Sequence, residues 1–225
     1  MVCLQLREKN SFKINGYEIS IIFGLFFLIE LFVPQAVKNF SNLSITLILR
    51  ALDLLILGYF FYSVKKVNWF LKKNYIQDGI KKGVYLSFFL GILFFLIYFF
   101  LNFFFNFNIF YLFNSPLSPD FKNLILLLAA GGLIGPIVEE LLFRGILYNF
   151  LRQNGKIIVS VFLSSLIFSF FHLNQSSIPI IQFTGGVVFA CSYEYTKNIF
   201  VPSTIHITGN LFILSIPYLL KTGWF

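Results

Sequence analysis

The sequence predicts an all-α fold, a polytopic transmembrane helical bundle of about seven spans. Three observations lead there. Of the 225 residues 58% are hydrophobic and 20% aromatic, while only 12% are charged, a balance far from that of a water-soluble domain. The apolar residues come in runs close to the roughly 20 residues that a helix needs to cross a hydrocarbon layer. Most of the lysines fall in short loops between those runs. The net charge of +8 is therefore distributed along membrane surfaces, where it orients the spans. It does not form a nucleic-acid face, and no nucleic-acid partner is expected.

The first span is predicted at residues 17–35. Arg7, Lys9 and Lys13 precede it, but it contains Glu18 and Glu30 and lacks a small-residue cleavage pattern, which marks an uncleaved span and not a signal peptide. The second, 43–64, holds Arg50 and Asp53, three apart and placed to pair. The loop 65–83 alternates lysine pairs with Trp69, Phe70, Tyr75 and Ile80, the pattern of a short helix lying on an anionic surface. A third span at 84–105 is followed by a stretch, 106–120, that begins apolar and is broken by Pro116 and Pro119, as an interfacial segment would be. The remaining spans are predicted at 123–150, 157–173, 178–196 and 200–220. Residues 1–119 thus form an N-terminal set of spans, and 120–220 a second unit.

With the N-terminus in the cytoplasm, 12 basic residues lie inside (Arg7, Lys9, Lys13, Lys65, Lys66, Lys72, Lys73, Lys81, Lys82, Arg152, Lys156, Lys197) against three outside (Lys38, Lys122, Lys221). The expected setting is a cell membrane crossed several times, with the N-terminus cytoplasmic. Thirteen lysines against four arginines, with abundant Phe, Ile and Asn, is the usage of an AT-rich genome and points to a bacterium. Cys3 and Cys191 stand far apart with no metal-ligand spacing, so neither a disulfide framework nor a zinc ribbon is expected.

The chemistry is concentrated in VEELLFRG (138–145), which follows 15 residues without a charge. An ionised side chain at the bilayer centre costs about 2.5–3.5 kcal/mol on insertion scales, so these groups need a reason to be there. On a helix Glu140 and Arg144 are four apart and can pair, whereas Glu139 is turned about 100° away. Glu139 is left as the carboxylate free to accept a proton, as a general base must. The chain has two histidines, and both fall in apolar spans: His172 ends FSFFH (168–172) and His206 opens HITGN (206–210). His206 and Asn210 share a helical face. GGLIGP (131–136) permits close helix packing, and Pro136 opens the backbone ladder one turn before Glu139.

EELLFR, FSFFH and HITGN, in this order and on separate spans, resemble the EExxxR, FxxxH and HxxxN motifs of the CPBP intramembrane proteases. That superfamily includes the type II CAAX prenyl proteases and proteins linked to bacteriocin self-immunity. The resemblance covers roughly residues 120–215. It implies an intramembrane endopeptidase with its active site between the fourth, fifth and seventh spans. In that family's scheme Glu139 activates water, Glu140 and Arg144 form the supporting pair, His172 holds and polarises the water, and His206 and Asn210 donate to the oxyanion. The expected partners are membrane lipids and a membrane-embedded or lipidated protein or peptide substrate.

No metal is expected, because no HExxH helix is present and an asparagine suits an oxyanion better than zinc. The alternative is a zinc site made by Glu139, His172 and His206. Two rival functions compete. One is a catalytically silent relative that binds a membrane partner or confers bacteriocin immunity; the other is a proton-coupled transporter, which predicts a repeat symmetry that the sequence lacks. Counted along the predicted spans at about 1.5 Å per residue, Glu139 and Asn210 lie roughly 15–18 Å deep, His206 about 9 Å and His172 about 22 Å, a gap that tilts or a deeper start for the fifth span must close.

Overall fold

The computed structural model describes residues 13–67, 72–106, 121–173 and 179–221. Among them are seven helices: α1 (Gly16–Ala36), α2 (Asn42–Tyr59, continued by a π-helical turn Phe60–Val64), α3 (Lys73–Phe105), α4 (121–154), α5 (Ile157–Phe170), α6 (Ile180–Thr196) and α7 (Phe200–Lys221). The first four are long and apolar enough to cross a membrane, and α5 is a shorter apolar helix, as is the stretch Phe200–Ile216 of α7. Trp69, Phe70 and the predicted interfacial segment from residue 107 to 120 lie outside the described residues.

Local chemistry sets the ends of the first pair. The Asn15 backbone amide donates to Glu18 Oε2 at 2.8 Å, and Ser41 caps α2 through Ser44 N at 3.3 Å, both ordinary N-terminal devices. Ion pairs then join α1 to α2 at two heights: Lys65 to Glu18 at 2.6 Å and Arg50 to Glu30 at 3.2 Å. Arg50 also pairs with Asp53 at 2.8 Å, as their spacing predicts.

The surface helix expected at 65–83 does not exist as a separate element. From Lys73 onward those residues are the first turns of α3, which runs 33 residues without interruption. The physical reason is packing against α7. Gly79 leaves room for Asn198 and Phe200, and Gly83 for Thr204, so the lysine-rich turns are held by tertiary contact. Farther along the same contact, the hydroxyls of Ser87 and Thr208 lie 2.9 Å apart.

α4 is the central element. Its Val138, Leu142, Phe143, Ile146 and Leu147 are buried in one cluster with Ile22 and Phe26 of α1, Leu57 of α2, Phe60 and Phe61 of the turn that continues it, and Phe168 of α5. On its other side α5 and α6 meet through small residues, with Ser160, Ser164, Ser165 and Ser169 all buried on α5. α4 is also irregular, with π-helical turns at Leu128–Ile134 and Leu141–Tyr148 flanking the regular turn Gly135–Glu140. Such turns shift the helix face and recur at functional sites.

The connection between α6 and α7 packs against the start of α3. Asn198 and Ile199 are nearly inaccessible. Asn198 Nδ2 donates to the Tyr75 carbonyl at 2.8 Å, and Ile199 N donates to the Tyr75 hydroxyl at 3.1 Å. α7 begins at Phe200, directly after this packed pair, and α5 ends after 14 residues, two residues before His172.

Candidate active site

Glu139, His172 and His206 converge. Glu139 Oε2 stands 3.7 Å from His206 Nε2 and 3.9 Å from His172 Nε2. That oxygen is buried and accepts no hydrogen bond from the described residues. The side chains of Glu139 and His172 remain 20% and 17% accessible, so the cluster opens on one side.

The other nitrogen of each imidazole is tied down, and this fixes what Nε2 does. His172 Nδ1 lies 2.8 Å from the Phe168 carbonyl oxygen. A carbonyl only accepts, so Nδ1 carries the hydrogen. His206 Nδ1 lies 3.0 Å from Glu140 Oε1, which imposes the same tautomer. In their neutral forms both rings therefore present an Nε2 lone pair toward Glu139. His206 is further clamped by stacking on Phe189, with centroids 4.4 Å apart.

Glu140 and Arg144 are fully buried and paired at 3.0 Å. Glu140 Oε1 accepts from both Arg144 Nη1 and His206 Nδ1, so the carboxylate that neutralises the arginine also orients a histidine. The spacing of VEELLFRG foretold the pair but not this second bond. Arg144 Nη2 donates to the Gly186 carbonyl at 2.9 Å, and its guanidinium lies over Phe168, Phe189 and Phe143 at 4.9, 5.2 and 5.9 Å. These aromatic faces compensate part of the desolvation of a buried cation.

Asn210 does not join the cluster directly. Its Nδ2 donates to the Gly131 carbonyl on α4 at 2.9 Å, leaving one amide hydrogen uncommitted.

Sequence reasoning placed α6 as a span but missed its part in the site. Gly186 and Phe189 sit on a helix with no charged or histidine signal at that height, and only their contacts reveal them. A Cβ on Gly186 would lie 3.1 Å from both Cα and Cβ of Ser165, so glycine is what lets the carbonyl reach Arg144. Gly186→Ala is expected to cost about 1–3 kcal/mol by overpacking, read as a lower melting temperature of the purified protein. An unchanged melting temperature would refute the tight fit.

Glu139, His172 and His206 have the donor types of a zinc site. Bonds of about 2.0–2.1 Å in a tetrahedron set ligand atoms about 3.3 Å apart, less than the 3.7 and 3.9 Å found. Among the described residues, no group of three His, Cys, Asp or Glu could hold a metal ion.

Residues 121–212 match the family of type II CAAX prenyl endopeptidase Rce1-like proteins. The membrane-embedded CAAX protease MroQ of Staphylococcus aureus (strain USA300) is 38% identical over 88 residues, 36% of this chain and 35% of that protein. A Bacillus subtilis (strain 168) protein named membrane peptidase YdiL is 30% identical over 89 residues, 40% of this chain and 36% of that protein. The alignments therefore span only about a third of these curated relatives. No solved structure gives a significant match.

Proposed function

We propose that this chain is an intramembrane endopeptidase that hydrolyses a peptide bond of a membrane-embedded or lipidated protein or peptide, with Glu139 as the base that activates water. The observation that carries the reading is the buried Glu139 Oε2 facing two imidazole Nε2 atoms at 3.7 and 3.9 Å. The likeness of 121–212 to the CAAX endopeptidases supports the same reaction class.

The proton count favours a hydrolytic site. A nucleophilic water placed among Glu139 Oε2 and the two Nε2 atoms offers two hydrogens to three acceptors. In this reading one imidazole carries a proton of its own. When Glu139 takes a proton from the attacking water, a protonated imidazole is at hand to donate to the developing oxyanion and then to the leaving amine. His206 serves as oxyanion donor only in that doubly protonated form, because Glu140 occupies its Nδ1. His172 holds the water from the opposite side. Glu140 and Arg144 are the supporting pair. The reading takes no metal, and it places the N-terminus in the cytoplasm.

The test follows membrane peptides by mass spectrometry in proteoliposomes holding the wild type, with and without a chelator. New C-termini that appear with wild type, and persist at an unchanged rate under chelation, are the expected result. Loss under chelation would overturn the metal-free chemistry. Absence of any product would favour a silent binding protein.

A further inference from the structure

α4 contains a carbonyl that its own backbone cannot satisfy. In regular α geometry the Gly131 oxygen would accept from Gly135 N–H, but that amide is turned to the Ala130 carbonyl, five residues back. The tightness of this turn explains the glycine, since a Cβ at residue 135 would come within 2.9 Å of the Ala130 oxygen. In π geometry, the register that Gly135 has adopted, the Gly131 oxygen would accept from residue 136. Residue 136 is proline and has no N–H. A half-buried carbonyl in an apolar setting costs free energy unless something donates to it. Asn210 Nδ2 does so, at 2.9 Å, from α7.

We infer that Asn210 is a positioning residue: its amide replaces the hydrogen bond that Pro136 cannot make, and so locks the break in α4 against α7. The consequence is registry. Glu139 lies three residues past Pro136, and His206 lies one turn before Asn210 on α7. A single bond between Asn210 and Gly131 therefore fixes the height of the carboxylate relative to the imidazole that faces it. Gly132 strengthens the lock by close approach, since a Cβ there would lie 2.7 Å from a methyl of Leu211. The inference deepens the peptidase reading, and only its activity arm rests on that reading.

Pro136→Ala supplies the test, because an alanine restores the missing N–H. We would measure the melting temperature of purified protein and the cleavage rate in proteoliposomes for wild type, Asn210→Ala, Pro136→Ala and the double variant. Asn210→Ala should lower the melting temperature by about 3–8 °C, the loss of one buried hydrogen bond in a chain of this size, and reduce cleavage at least tenfold. Pro136→Ala alone should keep cleavage within a few-fold. In the double variant both losses should be substantially restored. If the two substitutions simply add in melting temperature, the proposed bond is wrong. If stability returns but cleavage does not, Asn210 acts on the substrate itself and the positioning role is overturned. If wild type cleaves nothing while the stability coupling persists, the peptidase reading fails and the structural bond stands.

Discussion

Glu139→Gln should abolish hydrolysis while leaving the protein folded, with a rate loss of about 10²–10⁴-fold, the usual contribution of a general base. Glutamine preserves shape and removes only the ability to accept the water's proton. Its stability effect should be neutral or favourable, because the carboxylate oxygen it replaces is buried without a donor and the glutamine amide can donate to an Nε2 lone pair nearby. Groups that are costly in the folded state and needed for chemistry show this trade-off. Glu139→Asp is the companion variant. It keeps the base but draws it back by one methylene, and a displacement near 1 Å is enough to cost about 10²-fold. The assay is cleavage per folded molecule, with melting temperature recorded in parallel. A Glu139→Gln protein that is folded and cleaves at the wild-type rate would remove Glu139 from the mechanism.

The bundle was legible because its signal is cumulative: apolar runs, loop lysines and the absence of other options for backbone hydrogen bonding in lipid all point one way. Six of the seven predicted spans match observed helices to within a few residues. The exception, α3, begins eleven residues early, since its lysines read as surface while Gly79 and Gly83 were silent about α7. Within the site, spacing on one helix was readable and contacts between helices were not. The Glu140–Arg144 pair follows from i,i+4 geometry. The bond from His206 to Glu140 crosses 66 residues of sequence, and the Gly186 carbonyl belongs to a residue without a side chain. The gap in counted depth between His172 and His206 does not keep them apart, since both imidazoles reach Glu139.

The double duty of Glu140 leads to the second large effect. Glu140→Gln keeps an oxygen that can accept from both Arg144 and His206, so the hydrogen bonds survive and only the charge is lost. Arg144 is then a buried cation held by two carbonyl oxygens and three rings with its paired carboxylate gone, and stranding such a charge costs about 3–5 kcal/mol. The expected readout is a sharp fall in folded yield and melting temperature. Replacing both partners with apolar residues, Glu140→Leu with Arg144→Met, should recover most of that stability, because buried pairs exchanged for hydrophobic groups of similar volume are often neutral or better. Activity should not recover with it. Without an acceptor at Nδ1, His206 loses the bond that fixes its tautomer, and an enzyme that loses the carboxylate orienting its histidine falls by about 10⁴-fold in a well-studied case. The apolar double variant therefore separates two roles that any single substitution confounds. If it folds and cleaves at the wild-type rate, Glu140 serves Arg144 alone and the tautomer of His206 is set elsewhere. If it folds and is inactive, the carboxylate of Glu140 positions the histidine, and the arginine is present to keep that carboxylate charged inside the membrane.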